Sequence, residues 1–499
     1  MSKKLGLYIV AVLFVIYAAV LFTADAIDLS TADLGRHIQN GNIFFEALKY
    51  NRFDIFDRLW HTNFYSYTMP QAPFTNHHWF IGVIFSFLYK LLGFNGLTIF
   101  NIVCILLANL IMFFAARLIS NTQIAFLSLC LLLPLTCMRT EVRPESISYI
   151  FFAVEFLLLA LYKKEKISFK ALLLPYLLIQ LIWINMHIFF VFGIFLLVAF
   201  FPKNFFKIFI PVILISLINP SHIFGLLIPL NIFHDYGYMI AENQSVFFMQ
   251  GRYPYNPHYY LLEIISLANL IVMYFLWRNK NLDYRYLIVS VILMILAFKT
   301  NRTIPLYALA LVGVFAANLF KLKLKNCHWL TLVSILLLIS WIGFYIGLVK
   351  RDISKCLFDP KTHASAEFFL SNNIKGPIFN NYDIGGYLIF HLFPKHRVFI
   401  DNRPEAYTKE FLQNIYVASL KDEQVWQNLE AKIPFNVIYF MRLDNTEHGQ
   451  PFLIKRLNDS SWVPVFVDST NIILLKNNQS NQELIKRYRL PASMFKVVK

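Results

Sequence analysis

The feature that most constrains this chain is its succession of long apolar runs. Leu5–Phe22 and His328–Val349 are each long enough for a helix across about 30 Å of hydrocarbon. About eleven such segments can be marked. They fall near 5–23, 96–116, 122–138, 146–162, 171–186, 187–201, 205–219, 258–277, 284–298, 303–319 and 328–349. Hydrophobic residues make up 58% of the chain and charged ones 15%. Soluble domains carry about 45–50% and about 25%. This excludes disorder, collagen, coiled coil and a plain cytosolic enzyme. The sequence predicts a polytopic α-helical membrane protein of about 11–13 spans.

The net charge of +16 points to basic loops on the cytoplasmic side rather than to nucleic acid. The clusters are Lys163-Lys164-Glu165-Lys166, Lys203 with Lys207, Arg278 to Arg285, and Lys321-Leu322-Lys323-Leu324-Lys325. Eleven crossings from a cytoplasmic N-terminus put every cluster inside and the C-terminus outside. The segment 77–93, opening on His77-His78-Trp79, upsets this parity if it crosses. It is left as re-entrant, interfacial, or crossing in place of a neighbour such as 122–138. The first segment comes after Met1-Ser2-Lys3-Lys4 with no clear cleavage site, and is expected to stay as an uncleaved span. Five cysteines show neither a disulfide framework nor zinc spacing. Three soluble portions remain: an outer loop 24–76, a smaller outer loop 234–257, and a C-terminal domain. The expected domains are 1–351, transmembrane, and 352–499, soluble and extracytoplasmic.

Under this topology the unusual polar residues gather at the outer face. They are Asp33, Arg36, His37, Asn76-His77-His78, the stretch Arg139 to Glu145, Asn185 with His187, Asn219-Pro220-Ser221-His222, Glu242, and Asn301-Arg302. Ionisable groups at membrane depth are costly and point to function. The alternative is that loops are polar everywhere. In the first loop, Ser30 and Asp33 fit a capping box opening a helix. Asp33 is then either a capping carboxylate or a functional one, with Arg36 and His37 at i+3 and i+4 on its face.

These pieces resemble the GT-C glycosyltransferases, polytopic enzymes that include the protein O-mannosyltransferases and the lipid A aminoarabinose transferases. The resemblance rests on Asp33-Leu34-Gly35-Arg36-His37-Ile38 and Asn76-His77-His78-Trp79. Leu34 stands where many relatives have Glu, and no proline pair comes after the histidines. Trp183-Ile184-Asn185-Met186-His187, Asn219-Pro220, Gly385-Gly386-Tyr387-Leu388 and Asp401-Asn402-Arg403 also look like pieces of bacterial membrane proteins known only as predicted transferases. The resemblance implies inverting transfer of a sugar from a polyprenyl-phosphate carrier to a glycan, lipid or protein acceptor, at the outer face of a bacterial inner membrane. An acceptor needs a base, and Asp33 is the candidate. A lipid-phosphate leaving group needs cations. Arg36, Arg139, Arg143 and Arg302 supply planar forks that suit phosphate. His37, His77, His78, His187 and Glu242 complete the expected substrate-binding set. No metal ligand set is assigned, although a divalent metal is left open. Membrane lipid is an expected partner and nucleic acid is not.

The C-terminal portion alternates strand-like runs (377–379, 397–401, 436–440, 463–467, 471–475) with helical ones (408–419, 422–432), as in a small α/β layer domain. The last two runs predict a hairpin. Asp383-Ile384-Gly385-Gly386 predicts either a helix start or a tight turn, and Asp401 is expected to pair with Arg403. A structural or acceptor-binding role is expected here. Two other function classes remain from sequence: a transporter or flippase, which would place ionisable groups near the midplane within repeated halves, and a non-catalytic assembly factor. No repeat is found.

Overall fold

A computed structural model describes residues 33–139, 141–231, 234–322, 328–348, 363–444 and 446–495, with a few positions before residue 30. Most of the apolar segment 5–23 and the stretch 349–362 lie outside the described residues. The chain forms two compact units. The first comprises Met1–Ala26, Leu92–Phe233 and Ile240–Leu357, and the second Ile27–Leu91, His234–Met239 and Phe358–Lys499.

The first unit is a helix bundle whose elements match the apolar segments. Thr122–Thr136, Glu145–Lys163, Phe169–Ile184, Val191–Phe200, Phe205–Ile215, Pro257–Arg278, Tyr284–Lys299, Ile304–Lys321 and His328–Leu348 are helical. Their starts are written in the sequence. The side chains of Asn121, Ser168, Asn256 and Asp283 each accept from a backbone N–H of the first turn, satisfying donors that the helix itself cannot. Among the described residues, four helical stretches can cross a membrane by length and composition: Trp79–Ile119, Glu145–Lys163, Pro257–Arg278 and Asn301–Lys321. Others, such as Thr122–Thr136 and Phe169–Ile184, are shorter.

Ile304–Lys321 is buried on every side from Ile304 to Leu319, which makes it the centre of the bundle. Other helices of the unit instead expose apolar stripes. On Phe169–Ile184 the exposed large apolar residues are Leu174, Leu178 and Ile182, at i, i+4 and i+8 on one helical face. Such a face suits lipid, not water. Polar groups are turned inward, where they tie helices together. Asn269 Nδ2 donates to Ser290 Oγ at 2.7 Å, and Gln180 Nε2 donates to Ser216 Oγ at 3.2 Å.

The segment 77–93 is helical from Trp79 and runs on into the next apolar segment as far as Ile119, with an interruption at Gly93 (φ 64°, ψ −161°). That backbone conformation is open to glycine and strained for other residues. The second stretch of the first unit begins at Leu92, just before this interruption.

The second unit carries a four-stranded mixed sheet: β1 (Ile378–Asn380), β2 (Val437–Met441), β3 (Trp462–Val467) and β4 (Asn471–Lys476), in the order β1-β2-β4-β3. β1 pairs parallel with β2, and β4 lies antiparallel to both β2 and β3. The expected hairpin is therefore β3–β4. The fifth run, 397–401, is not a strand of this sheet. Phe399 N–H donates to Asn380 Oδ1, and Asn380 Nδ2 donates to the Ile400 carbonyl. One asparagine side chain replaces a ladder, and Val398 makes only an isolated bridge, to Ser66. Gly385–Leu392 is a helix placed after β1, so Asp383-Ile384-Gly385-Gly386 does lead into one. The core is aromatic. Phe379, Phe399, Trp426, Phe435, Phe440 and Phe452 pack together, joined by Phe74 from the N-terminal part of the unit.

Candidate functional site

In the second unit the Leu34–Lys49 helix packs against two others at glycines. A Cβ on Gly35 would lie 2.7 Å from the Gly386 carbonyl oxygen, and one on Gly41 would overlap the Gly82 carbonyl. Asp33 stands immediately before this helix, and Ser30, its partner in the expected capping box, lies outside the described residues. The Asp33 carboxylate makes no capping bond among the described residues. Instead Oδ1 accepts from Asn402 Nδ2 at 2.9 Å, and Oδ2 faces Arg36 Nη2 at 3.4 Å. Arg36 is buried, whereas the Asp33 side chain is about one-third exposed. His37 is buried between helices, its ring edge-on to His78 (5.3 Å) and Phe85 (6.2 Å). His77 lies beside His78 at 3.9 Å between ring centroids.

Asn402 is held by its neighbours. Arg403 donates from Nε to Asp401 Oδ1 at 2.6 Å and from Nη2 to Asp401 Oδ2 at 2.7 Å. Tyr407 Oη donates to Asp401 Oδ2 at 2.9 Å. Both members of this fork are fully buried. Burial works against the charge on Arg403, but Asp401 outweighs it and raises the guanidinium above its ordinary range. Sequence reasoning expected the 401–403 pair. It missed that the residue between the two reaches Asp33.

The first unit gathers a second cluster. Arg139, Glu141 and Arg143 lie between the helices Thr122–Thr136 and Glu145–Lys163, Glu145 opens the latter, Glu242 sits on a short turn, and Arg302 precedes Ile304–Lys321. Arg139 Nη2 is 3.1 Å from Glu242 Oε1, Arg302 Nη2 is 3.3 Å from Glu145 Oε1, and Arg143 pairs with Glu242. Burial alone would raise the Glu242 carboxyl, but Arg139 and Arg143 overcome it and hold it down at about 2. Burial likewise opposes the charge on Arg139, and Glu242, Glu145 and Glu141 together push it above the ordinary arginine value. Arg139 Nη1 and Arg302 Nε are buried and make no hydrogen bond among the described residues. His187 Nδ1 lies 2.9 Å from Ser148 Oγ, which also accepts from Trp183 Nε1. Arg302, with Asn243, Thr300 and Thr303, lines a mainly apolar cavity of about 250 Å³ whose walls include Ile188, Phe192, Phe195, Leu230 and Ile292.

The other polar motifs do local work. Asn185 Nδ2 donates to the Leu181 and Ile218 carbonyls, and Asn219 closes the turn through Ser221 and His222. Among the described residues, no group of three or more His, Cys, Asp or Glu is placed to hold a metal ion.

The sequence matches no family model and no curated protein. Solved structures do resemble it. The oligosaccharyltransferase of Archaeoglobus fulgidus, tethered to an acceptor peptide containing the NVT sequon, superposes with a TM-score of 0.58 at 10% identity, over 96% of this chain and 75% of that one. ArnT from Cupriavidus metallidurans, bound to undecaprenyl phosphate, gives 0.55 at 11% identity, over 95% and 98%. The chain has the GT-C fold. The identities are too low for the comparison to carry more than the fold.

Proposed function

We propose that this GT-C protein is an inverting membrane glycosyltransferase that uses a polyprenyl-phosphate sugar and acts at the outer face of the inner membrane. The observation that carries this reading is the Arg139–Arg143–Arg302 cluster beside the apolar cavity. The buried Arg139 Nη1 and Arg302 Nε make no hydrogen bond among the described residues; bonds left unmade in this way are costly, and an incoming phosphate would supply them in charge-assisted form. The cavity at Arg302 then takes the first isoprene units. ArnT, a neighbour in fold, is bound to a ligand of this kind.

In the proposed reaction the acceptor O–H or N–H gives its proton to the Asp33 carboxylate as the acceptor atom bonds to the anomeric carbon. The bond from that carbon to the phosphate oxygen breaks from the opposite side, and the polyprenyl phosphate leaves with the electron pair. The arginines stabilise the charge that develops on it. Arg36, facing the second Asp33 oxygen, assists the first step by keeping the carboxylate in place. We further read residues 352–499 as an extracytoplasmic domain.

The carrier site is tested by binding of fluorescent polyprenyl phosphate to the purified protein in detergent. Arg302→Lys keeps the charge but loses the fork, and is expected to weaken binding about tenfold, the equivalent of about 1.4 kcal/mol. Unchanged affinity in Arg302→Lys and Arg302→Ala would remove the carrier from this cluster.

A further inference from the structure

We propose that Asn402 is a positioning residue for Asp33, which makes the C-terminal segment a working part of the catalytic machinery. The inference rests on the reading of Asp33 as the base. The contact joins residues 369 apart in sequence, so it is a product of the fold and not of local chain geometry. Three features set it apart from an incidental surface bond.

The first is the way Asn402 is anchored. It stands between Asp401 and Arg403, whose buried fork leaves the loop no freedom on either side. The Asp401 N–H donates to Tyr407 Oη at 3.0 Å, and the Asp401 backbone lies so close to Gly385 that a Cβ there would sit 2.4 Å from the Asp401 Cα. The helix begun at Gly385 in turn meets Gly35, two residues after Asp33. Asn402 and Asp33 are thus fixed to the same pair of closely packed helices.

The second is the chemistry of the contact. A carboxylate only accepts, and an amide NH2 only donates. Asn402 therefore turns its nitrogen to Asp33 and leaves its own Oδ1 buried without a hydrogen-bond partner among the described residues.

The third is how the carboxylate is held. Asn402 takes one oxygen and Arg36 the other, so the carboxylate plane cannot swing about its bond to Cβ. A base fixed in this way presents its lone pair in one direction, and small misplacements of reacting groups are expensive.

The test is steady-state sugar transfer from a polyprenyl-phosphate donor by wild type, Asn402→Ala, Asn402→Asp and Asp33→Asn, with folded protein quantified for each. Asn402→Ala should lower kcat about 10–100-fold and leave the donor KM and the amount of folded protein near wild type. Asn402→Asp is isosteric but sets a carboxylate against a carboxylate. It should lose more than Asn402→Ala at neutral pH and regain activity as the pH falls and the introduced carboxyl becomes a donor. Wild-type kcat in both Asn402 variants, with Asp33→Asn inactive, overturns this inference and leaves Asp33 as the base. Loss of kcat in step with loss of folded protein, without recovery at low pH in Asn402→Asp, makes the role structural and overturns it as well. An active Asp33→Asn instead removes the base reading itself.

Discussion

Replacing Arg403 by Met leaves Asp401 as a buried charge without its partner. Asp401 is fully buried, and its two carboxylate oxygens take hydrogen bonds from Arg403 at 2.6 and 2.7 Å. Of the remaining donors, Tyr407 Oη serves only Oδ2. Breaking a buried pair by removing one member costs about 3–5 kcal/mol. Met keeps much of the side-chain volume that packs over Phe74, where the guanidinium carbon sits 4.7 Å from the ring centroid, so the loss comes mainly from the stranded charge. For a unit of about 150–250 residues, each kcal/mol moves Tm by about 2–4 °C. Arg403→Met should therefore lower the melting temperature of the second unit by about 6–20 °C. The assay is thermal unfolding in detergent monitored by intrinsic fluorescence, to which Trp426 and Trp462 in the core of that unit contribute. Asp401→Asn combined with Arg403→Met removes both charges, and should recover a large part of the loss. A Tm for Arg403→Met within about 2 °C of wild type, or a double variant no better than the single one, would refute this reasoning.

Two further outcomes are expected. Glu242 is held at about 2, below its ordinary value of 4.5, so its ion pairs stabilise the native state above pH 4.5 and are lost as pH falls towards 2. The Tm gap between wild type and Glu242→Gln should be constant from about pH 7 to about pH 5 and close on further acidification; a gap that widens reverses the sign. For topology, a reporter that is active only outside the cytoplasm, fused after Lys499, should be active, and an inactive fusion would place the C-terminus inside.

Much of the helix bundle was legible because its signal is local. An apolar run with a capping side chain in front, as at Ser168 or Asp283, carries both its length and its start. The run 397–401 reads as a strand because a short buried apolar run looks the same whether the partner is a strand or one asparagine side chain, and here it is Asn380. The local pattern offers Asp33 as a capping carboxylate, but it makes no capping bond among the described residues. The Asp33 side chain is drawn instead to Asn402, a partner that no local pattern announces. The same holds for the arginine cluster. Arg139 and Arg143 stand out as charges between apolar segments, but their pairing with Glu242 depends on a turn far along the chain. The one clue to Asn402 was its place inside Asp401-Asn402-Arg403, where the flanking charges drew the attention.

The central claim is tested most directly at Asp33. Asn keeps the shape of Asp33 and an oxygen that can accept from Asn402, so Asp33→Asn removes the negative charge and the ability to take a proton. The measurement is transfer of labelled sugar from a polyprenyl-phosphate donor in membranes containing equal amounts of wild type and variant. The account predicts a loss of about two to four orders of magnitude with the protein still folded in the membrane. Near-normal transfer by Asp33→Asn would contradict it, and would move the base to one of Glu141, Glu145 and Glu242.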